Sequence, residues 1–177
     1  KNYERAILML DVGETYNLDS ILFYSKQSAR IYAELNDKEG FQKSLLVQMQ
    51  TYAIQKDETN TKSLNDSIVH FCEKKKQNCN LYLAQANENL GLLYSNLGKN
   101  DQAIELFNKA IELYNKQYGK DFPELARIYC YVGNTYYNKE DLENSLKFHL
   151  SSIELCKKHF GENNNLYSKI LFNTGNE

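Results

Sequence analysis

A chain that repeats itself at a fixed interval folds as stacked copies of one small unit, and this chain contains such a stretch. Shifted by 42 positions, Ala84 falls on Ala126, Gly91 on Gly133, Tyr94 on Tyr136 and Asn96 on Asn138. The match continues through Ile111-Glu112-Leu113 onto Ile153-Glu154-Leu155, then Lys116 onto Lys158 and Gly119 onto Gly161. These nine identities in 36 aligned positions compare with about two for unrelated sequences, and such periodicity is the signature of a solenoid. A third copy opens near the end, where Ile128, Gly133 and Asn134 recur as Ile170, Gly175 and Asn176. A lone half-copy leaves an apolar face uncovered, which predicts that the native chain continues past Glu177. The opening Lys1, with no initiator methionine or signal peptide, likewise predicts an excerpt from a longer protein.

Composition narrows the class. One proline and eight glycines in 177 residues, with few runs of strand-like alternation, predict an all-α chain. Apolar residues are 42% and charged residues 25%, the usage of an ordinary soluble protein. A net charge of −2 provides no basic field for a phosphate backbone, which argues against nucleic acid as a partner. The basic run Lys74-Lys75-Lys76 reads as the solvated end of a helix. No stretch has the roughly 18 consecutive apolar residues of a membrane span. Cytoplasmic residence is the resulting expectation.

The sequence carries no signature of catalysis, so no catalytic residue, metal site or cofactor is expected. Cys72, Cys79, Cys130 and Cys156 lack C-x-x-C spacing and read as free thiols, and His70, His149 and His159 do not cluster with them as zinc ligands would. No nucleophile elbow or phosphate loop is present. His149 falls among the apolar positions of a helix and reads as a packed residue. Glu112 and Glu154 recur on the outer part of a second helix, where a solvated charge belongs. Asn65-Asp66-Ser67 fits a glycosylation sequon, a short pattern of little weight without a secretory signal.

In chain order, Ile7, Leu8, Leu10, Val12 and Leu18 predict a first helix over residues 4–18, and Asp19 is placed to cap a second. A turn is expected at Asn36-Asp37-Lys38-Glu39-Gly40. Leu45, Leu46, Met49, Tyr52 and Ala53 mark the next helix, Met49 standing where other copies have glycine. The polar stretch Lys56 to Lys62 predicts a longer loop before a helix marked by Leu64, Ile68, Phe71 and Cys72. A third hairpin starts near Leu81 and turns at Gly98-Lys99-Asn100. A fourth opens with Pro123 in its first helical turn, and Asp141 caps its second helix. Gly119 and Gly161 end the second helices. The repeats accordingly span about 1–38, 40–78, 80–119 and 122–161, with a half-repeat at 164–177.

The pattern resembles the tetratricopeptide repeat. Counting Ala84 as position one, Gly91 is eighth, Tyr94 eleventh, Ala103 twentieth, Phe107 twenty-fourth and Ala110 twenty-seventh. In the next copy Gly133, Tyr136, Ser145 and Ser152 hold four of these places, and His149 replaces the aromatic. The period of 42 and the linker Tyr118-Gly119-Lys120-Asp121-Phe122-Pro123 resemble the kinesin light chain subtype. The resemblance implies a right-handed α-solenoid of antiparallel helical hairpins whose first helices line a concave groove. It implies a peptide or helical segment of a partner protein held there, with Asn89, Asn96, Asn138 and Asn173 at the family's asparagine places; Arg127, Tyr131, Asn134, Tyr137 and Lys169 face the same groove, Tyr131 departing from the family pattern. Asparagine offers a donor and an acceptor together and can engage a peptide group, while tyrosine provides anchor surface. Two other functions compete with this one. The chain could be a regulatory segment packing on an effector domain of its own protein, or a structural module that self-associates through the terminal half-repeat.

Overall fold

The computed structural model describes residues 1, 3, 4, 17–75, 79–162, 167, 168, 170 and 171, and all regular structure among them is helical. The elements are α1 (Leu18–Glu34), α2 (Lys38–Ile54), α3 (Glu58–Lys74), α4 (Asn80–Asn96), α5 (Asn100–Tyr118), α6 (Leu125–Tyr137) and α7 (Leu142–Phe160). Tyr167, Ser168, Ile170 and Leu171 are helical beyond them. The expectations placed on Ile7, Leu8, Leu10, Val12, Lys76, Gly175 and Asn176 lie outside the described residues, as do those on Lys169 and Asn173.

Four tight turns are built alike. After α1, α2, α4 and α6 the N–H groups of Asp37, Asp57, Lys99 and Asp141 donate to the carbonyls of Tyr32, Tyr52, Tyr94 and Tyr136, at 2.8, 2.9, 2.8 and 3.0 Å. This backward bond terminates a helix by turning one residue left-handed. That residue is Asn36, Lys56, Gly98 or Glu140, with φ of 54, 61, 73 and 62°. Only Gly98 holds this conformation without a Cβ clash. Three of the turns then start the next helix with an aspartate cap: Gly40, Asn60 and Asn144 donate their N–H to the side chains of Asp37, Asp57 and Asp141. Bonds from Asn60 and Asn144 hold the Asp57 and Asp141 carboxyls below the usual carboxylate range.

The same geometry corrects several expectations. Lys56 to Lys62 is no long loop, because α3 begins at Glu58. Its polar residues satisfy the first turn of the helix: Asn60 bonds the Asp57 carboxylate through its side chain at 2.7 Å, Thr61 Oγ1 donates to the Asp57 carbonyl at 2.6 Å, and Lys62 pairs with Glu58. Asp19 lies inside the first turn of α1 and does not cap it. The turn after α1 closes by Asp37, leaving Gly40 within α2. Pro123 precedes the first helical residue of α6 by two, and its carbonyl accepts the Ala126 N–H.

Glycines set how closely the helices pair. A Cβ on Gly91 would stand 2.7 Å from the Phe107 ring, and one on Gly133 would overlap the His149 ring. The α4–α5 and α6–α7 hairpins therefore close ring against bare backbone, and His149 is fully buried at the place of Phe107. Gly40 lies equally tight against Tyr32, which joins α2 to α1 with the roles exchanged between first and second helix. In the α2–α3 pair Met49 stands at the glycine place, and the residue at the ring place is Asn65. Both halves of that contact have changed, and these two helices approach less closely than the other hairpin partners.

The apolar core is distributed along the stack. Ala84, Ala103, Phe107, Ala110, Tyr114, Leu125, Ile128 and Val132 join α4, α5 and α6. Leu45, Leu46, Met49, Ile68, Cys79, Tyr82 and Ala86 join α2 and α3 to the start of α4. Each unit is thus buried by its neighbour, as in a one-dimensional array. The linker after α5 is fixed by Phe122, which stacks on Tyr118 at 4.2 Å. Gly119 and Gly161 take φ/ψ of 83°/174° and 73°/−178°, a region essentially restricted to glycine.

Candidate functional site: the face of the first helices

The helices α2, α4 and α6 stand side by side, and polar side chains bind them to one another. Asn89, only 6% exposed, donates its amide to the Leu46 carbonyl of α2 at 3.1 Å. Two turns on, Asn96 does the same to the Ala53 carbonyl, also at 3.1 Å. Each asparagine does engage a peptide group, and that group belongs to the neighbouring helix of the same chain. The amide donors of this pair are committed to stacking.

Between α4 and α6 the ties are different. Glu88 is buried, 2% exposed, and accepts from Arg127 Nε at 2.6 Å and Nη2 at 3.2 Å, with the Tyr114 hydroxyl donating to it at 3.1 Å. A carboxylate withdrawn from water needs such a shell of donors. Glu88 in turn raises the pKa of the Arg127 guanidinium, and burial raises that of the Tyr114 phenol. Thr135 Oγ1 donates to the Tyr131 carbonyl at 2.7 Å, so Ser95 Oγ, 2.9 Å away, donates to Thr135.

Tyr131 stacks on Phe107 with ring centroids 6.0 Å apart, and its phenol lies near Gln50 of α2. Burial pushes its phenol up to about 12. Asn134 Oδ1 is 3.0 Å from His149 Nε2, which ties the buried ring to the first helix. Tyr137 and Asn138, at the end of α6, remain exposed, Tyr137 by 44%. Of the nine residues expected to form a binding surface, five are engaged within the molecule and two are open; Lys169 and Asn173 lie outside the described residues.

Sequence reasoning did not single out Glu88 as the centre of a charge cluster, nor Ser95 and Thr135 as ties. A signal for them exists. Partners in adjacent units sit close to one period apart: Glu88 and Arg127 by 39, Ser95 and Thr135 by 40, Asn89 and Leu46 by 43. The outer edge follows the same rule, with Lys99 on Glu58, Lys139 on Asp101 and Lys158 on Asp121. These exposed pairs add little stability each.

Other chemistry is sparse. The four cysteines are thiols not joined in disulfides, and among the described residues no His, Cys, Asp and Glu gather as metal ligands would. Burial and the neighbouring Cys79 thiol push the Cys72 thiol up to about 12, so it is a poor nucleophile. Among the described residues no helix is long and apolar enough to cross a membrane.

Comparison with known proteins agrees with this architecture. Residues 82–158 match the family of the tetratricopeptide repeat, and this part of the chain is a tetratricopeptide-repeat array. The fold is similar to that in the crystal structure of BtubC (BKLC) from P. vanneervenii, with a TM-score of 0.72 at 15% identity. That likeness covers 89% of this chain and 64% of the other, so this chain spans less than two thirds of that protein. No curated protein matches the sequence. By fold the described residues form a helical-repeat array, a kind typical of protein-interaction scaffolds.

Proposed function

We propose that the chain captures a segment of a partner protein along the face of its first helices, with contact centred on the open end of α6. The observation that carries this reading is the exposure of Tyr137 beside Asn138, while Asn89, Asn96 and Arg127 on the same face are tied into the fold. An aromatic surface next to an uncommitted amide suits a peptide: the ring buries an apolar side chain and the amide bonds the main chain. The 42-residue spacing and the Tyr118 to Pro123 linker favour the kinesin light chain-like subtype.

The test starts from a peptide-display library selected on the intact chain. A selected peptide is then titrated against Tyr137→Ala, Asn138→Ala and the double variant. We expect the double variant to lose at least about tenfold in affinity, a change of ~1.4 kcal/mol. Unchanged affinity in the double variant removes the α6 surface from the reading.

A further inference from the structure

The α2–α3 hairpin departs from the others where a cavity opens beside it. Gln42 takes the place that Ala84 and Ala126 hold in the following units, where both alanines are fully buried. With Met49 at the glycine place and Asn65 at the ring place, three positions of this one unit differ from the pattern that closes its neighbours. A cavity of about 190 Å³ lies between the end of α1, the start of α2 and the end of α3. Tyr32, Phe41, Gln42 and Phe71 line it, and the exposed turn at 36–38 stands at its edge. Because α1 and α3 are successive second helices, the cavity lies between neighbouring units inside the array. Gln42 is 6% exposed, and its Oε1 finds no hydrogen-bond partner among the described residues. A buried carbonyl left without a donor costs free energy, and each such group in a folded chain calls for a cause.

We propose that this cavity takes the phenol ring of a tyrosine in a partner segment, its hydroxyl bonded to the Gln42 carboxamide. The size fits a single ring, since a dry cavity of roughly 150 Å³ holds benzene. Tyr32, Phe41 and Phe71 provide the aromatic surface on which such a ring is buried. The last torsion of a glutamine side chain is soft, so the carboxamide turns toward a ligand at little cost. A hydroxyl both donates and accepts and satisfies the amide in either orientation, whereas an indole N–H only donates and a phenyl ring leaves the carbonyl stranded. A cationic guest is disfavoured, because Lys75 Nζ already lies over the Phe71 ring at 5.5 Å. Space for one ring leaves the backbone that carries it outside, along the polar turn. The lining holds no buried pair of charges for the ammonium and carboxylate of a free amino acid: Asp37 already accepts the Gly40 N–H, and Lys38 is exposed. A tyrosine within a chain is the better fit. This site belongs to α1, α2 and α3 and does not depend on the Tyr137 surface of α6.

Titration of the isotope-labelled 177-residue chain with N-acetyl-tyrosinamide, N-acetyl-phenylalaninamide and free tyrosine, followed by NMR, tests the proposal. N-acetyl-tyrosinamide is expected to shift the Gln42 side-chain and Gly40 amide signals saturably. It should bind about fivefold more tightly than the phenylalanine analogue, the effect of one hydrogen bond. Gln42→Ala restores the residue of the regular units, and it is expected to keep the helicity and to erase that preference. If this variant fails to fold, Gln42→Leu, of similar size without the amide, decides in its place. No saturable shift at Gln42, or a preference for the phenol that survives the substitution, overturns the proposal. Free tyrosine binding more tightly than the capped form assigns the cavity to a metabolite and overturns the partner segment.

Discussion

The helices α4 and α6 occupy equivalent places in successive units, yet they use their polar side chains differently. On α4, Asn89 and Asn96 are turned to the preceding unit, where they donate to the Leu46 and Ala53 carbonyls. On α6 the equivalent places are Tyr131, which stacks on Phe107 near Gln50, and Asn138, which is exposed. The link from α6 back to α4 passes instead through the Glu88–Arg127 pair and the Ser95–Thr135 hydroxyls. Equal position in a repeat thus fixes where a side chain starts. The neighbour that reaches it decides whether it becomes a structural tie or an open surface.

The ion pair offers the largest effect. Arg127→Ala leaves Glu88 buried with two hydrogen bonds fewer and no opposite charge, and breaking such a pair typically costs about 3–5 kcal/mol. Arg127 is itself about one third exposed, so water can replace part of it and the lower end, ~3 kcal/mol, is expected in urea unfolding. Recovery of most of that loss in the double variant Arg127→Ala, Glu88→Gln identifies the stranded charge as the cause. A loss within experimental error means that α6 stacks on α4 by apolar contact alone.

Next comes the closure of the hairpins. Gly133→Ala places a methyl group into the His149 ring and should destabilise by about 1–3 kcal/mol, as should Gly91→Ala against Phe107. If Gly133→Ala is tolerated while Gly91→Ala is not, the imidazole and its bond to Asn134 yield more readily than a phenyl ring, and the two hairpins are less alike than their backbones. Thermal melts of the two variants make this comparison directly.

Asn89→Ala and Asn138→Ala test the division between α4 and α6 itself. The first removes a buried tie and should cost about 1 kcal/mol. The second, at an exposed site, should stay within about 0.5 kcal/mol of the parent while affecting binding of the selected peptide. Reversal of this order would erase the distinction drawn between the two helices.

The smallest effect is a gain. Lys56 and Glu140 hold positive φ in turns where the equivalent residue after α4 is Gly98. Relief of the left-handed strain, of order 1–2 kcal/mol, outweighs the added freedom of glycine in the unfolded chain, about 0.4–1 kcal/mol. Lys56→Gly and Glu140→Gly are therefore each expected to raise stability by about 0.5–1 kcal/mol. A fall in melting temperature for both would mean that these side chains make contacts worth more than the strain.

Much of this architecture is legible in the sequence because it depends on local chemistry. The glycine-to-ring pairs Gly91 with Phe107 and Gly133 with His149 follow from the period, since only a residue without a side chain fits under a buried ring. The Asp141 cap follows from a carboxylate at the start of an apolar periodic run. The start of α3 was hidden because its first turn is polar on the outside and small at Thr61, a composition shared by loops and by well-capped helix ends. Two of the three left-handed turns without glycine were hidden for a related reason: the constraint acts on the backbone, and Lys56 and Glu140 carry no sign of it, whereas asparagine, as at Asn36, tolerates it.

The sequence by itself determined that helices of this length pair through small residues and stack at an interval of 42, because packing volume and helical period leave little alternative. Only the tertiary structure decided which asparagines are ties and which are surface. A helix of this array has one neighbour before it and another after it, and the direction of approach of each selects the side chains that leave the water. For Asn89 that neighbour is α2, whose backbone takes its amide; Asn138, at the end of α6, remains in solvent.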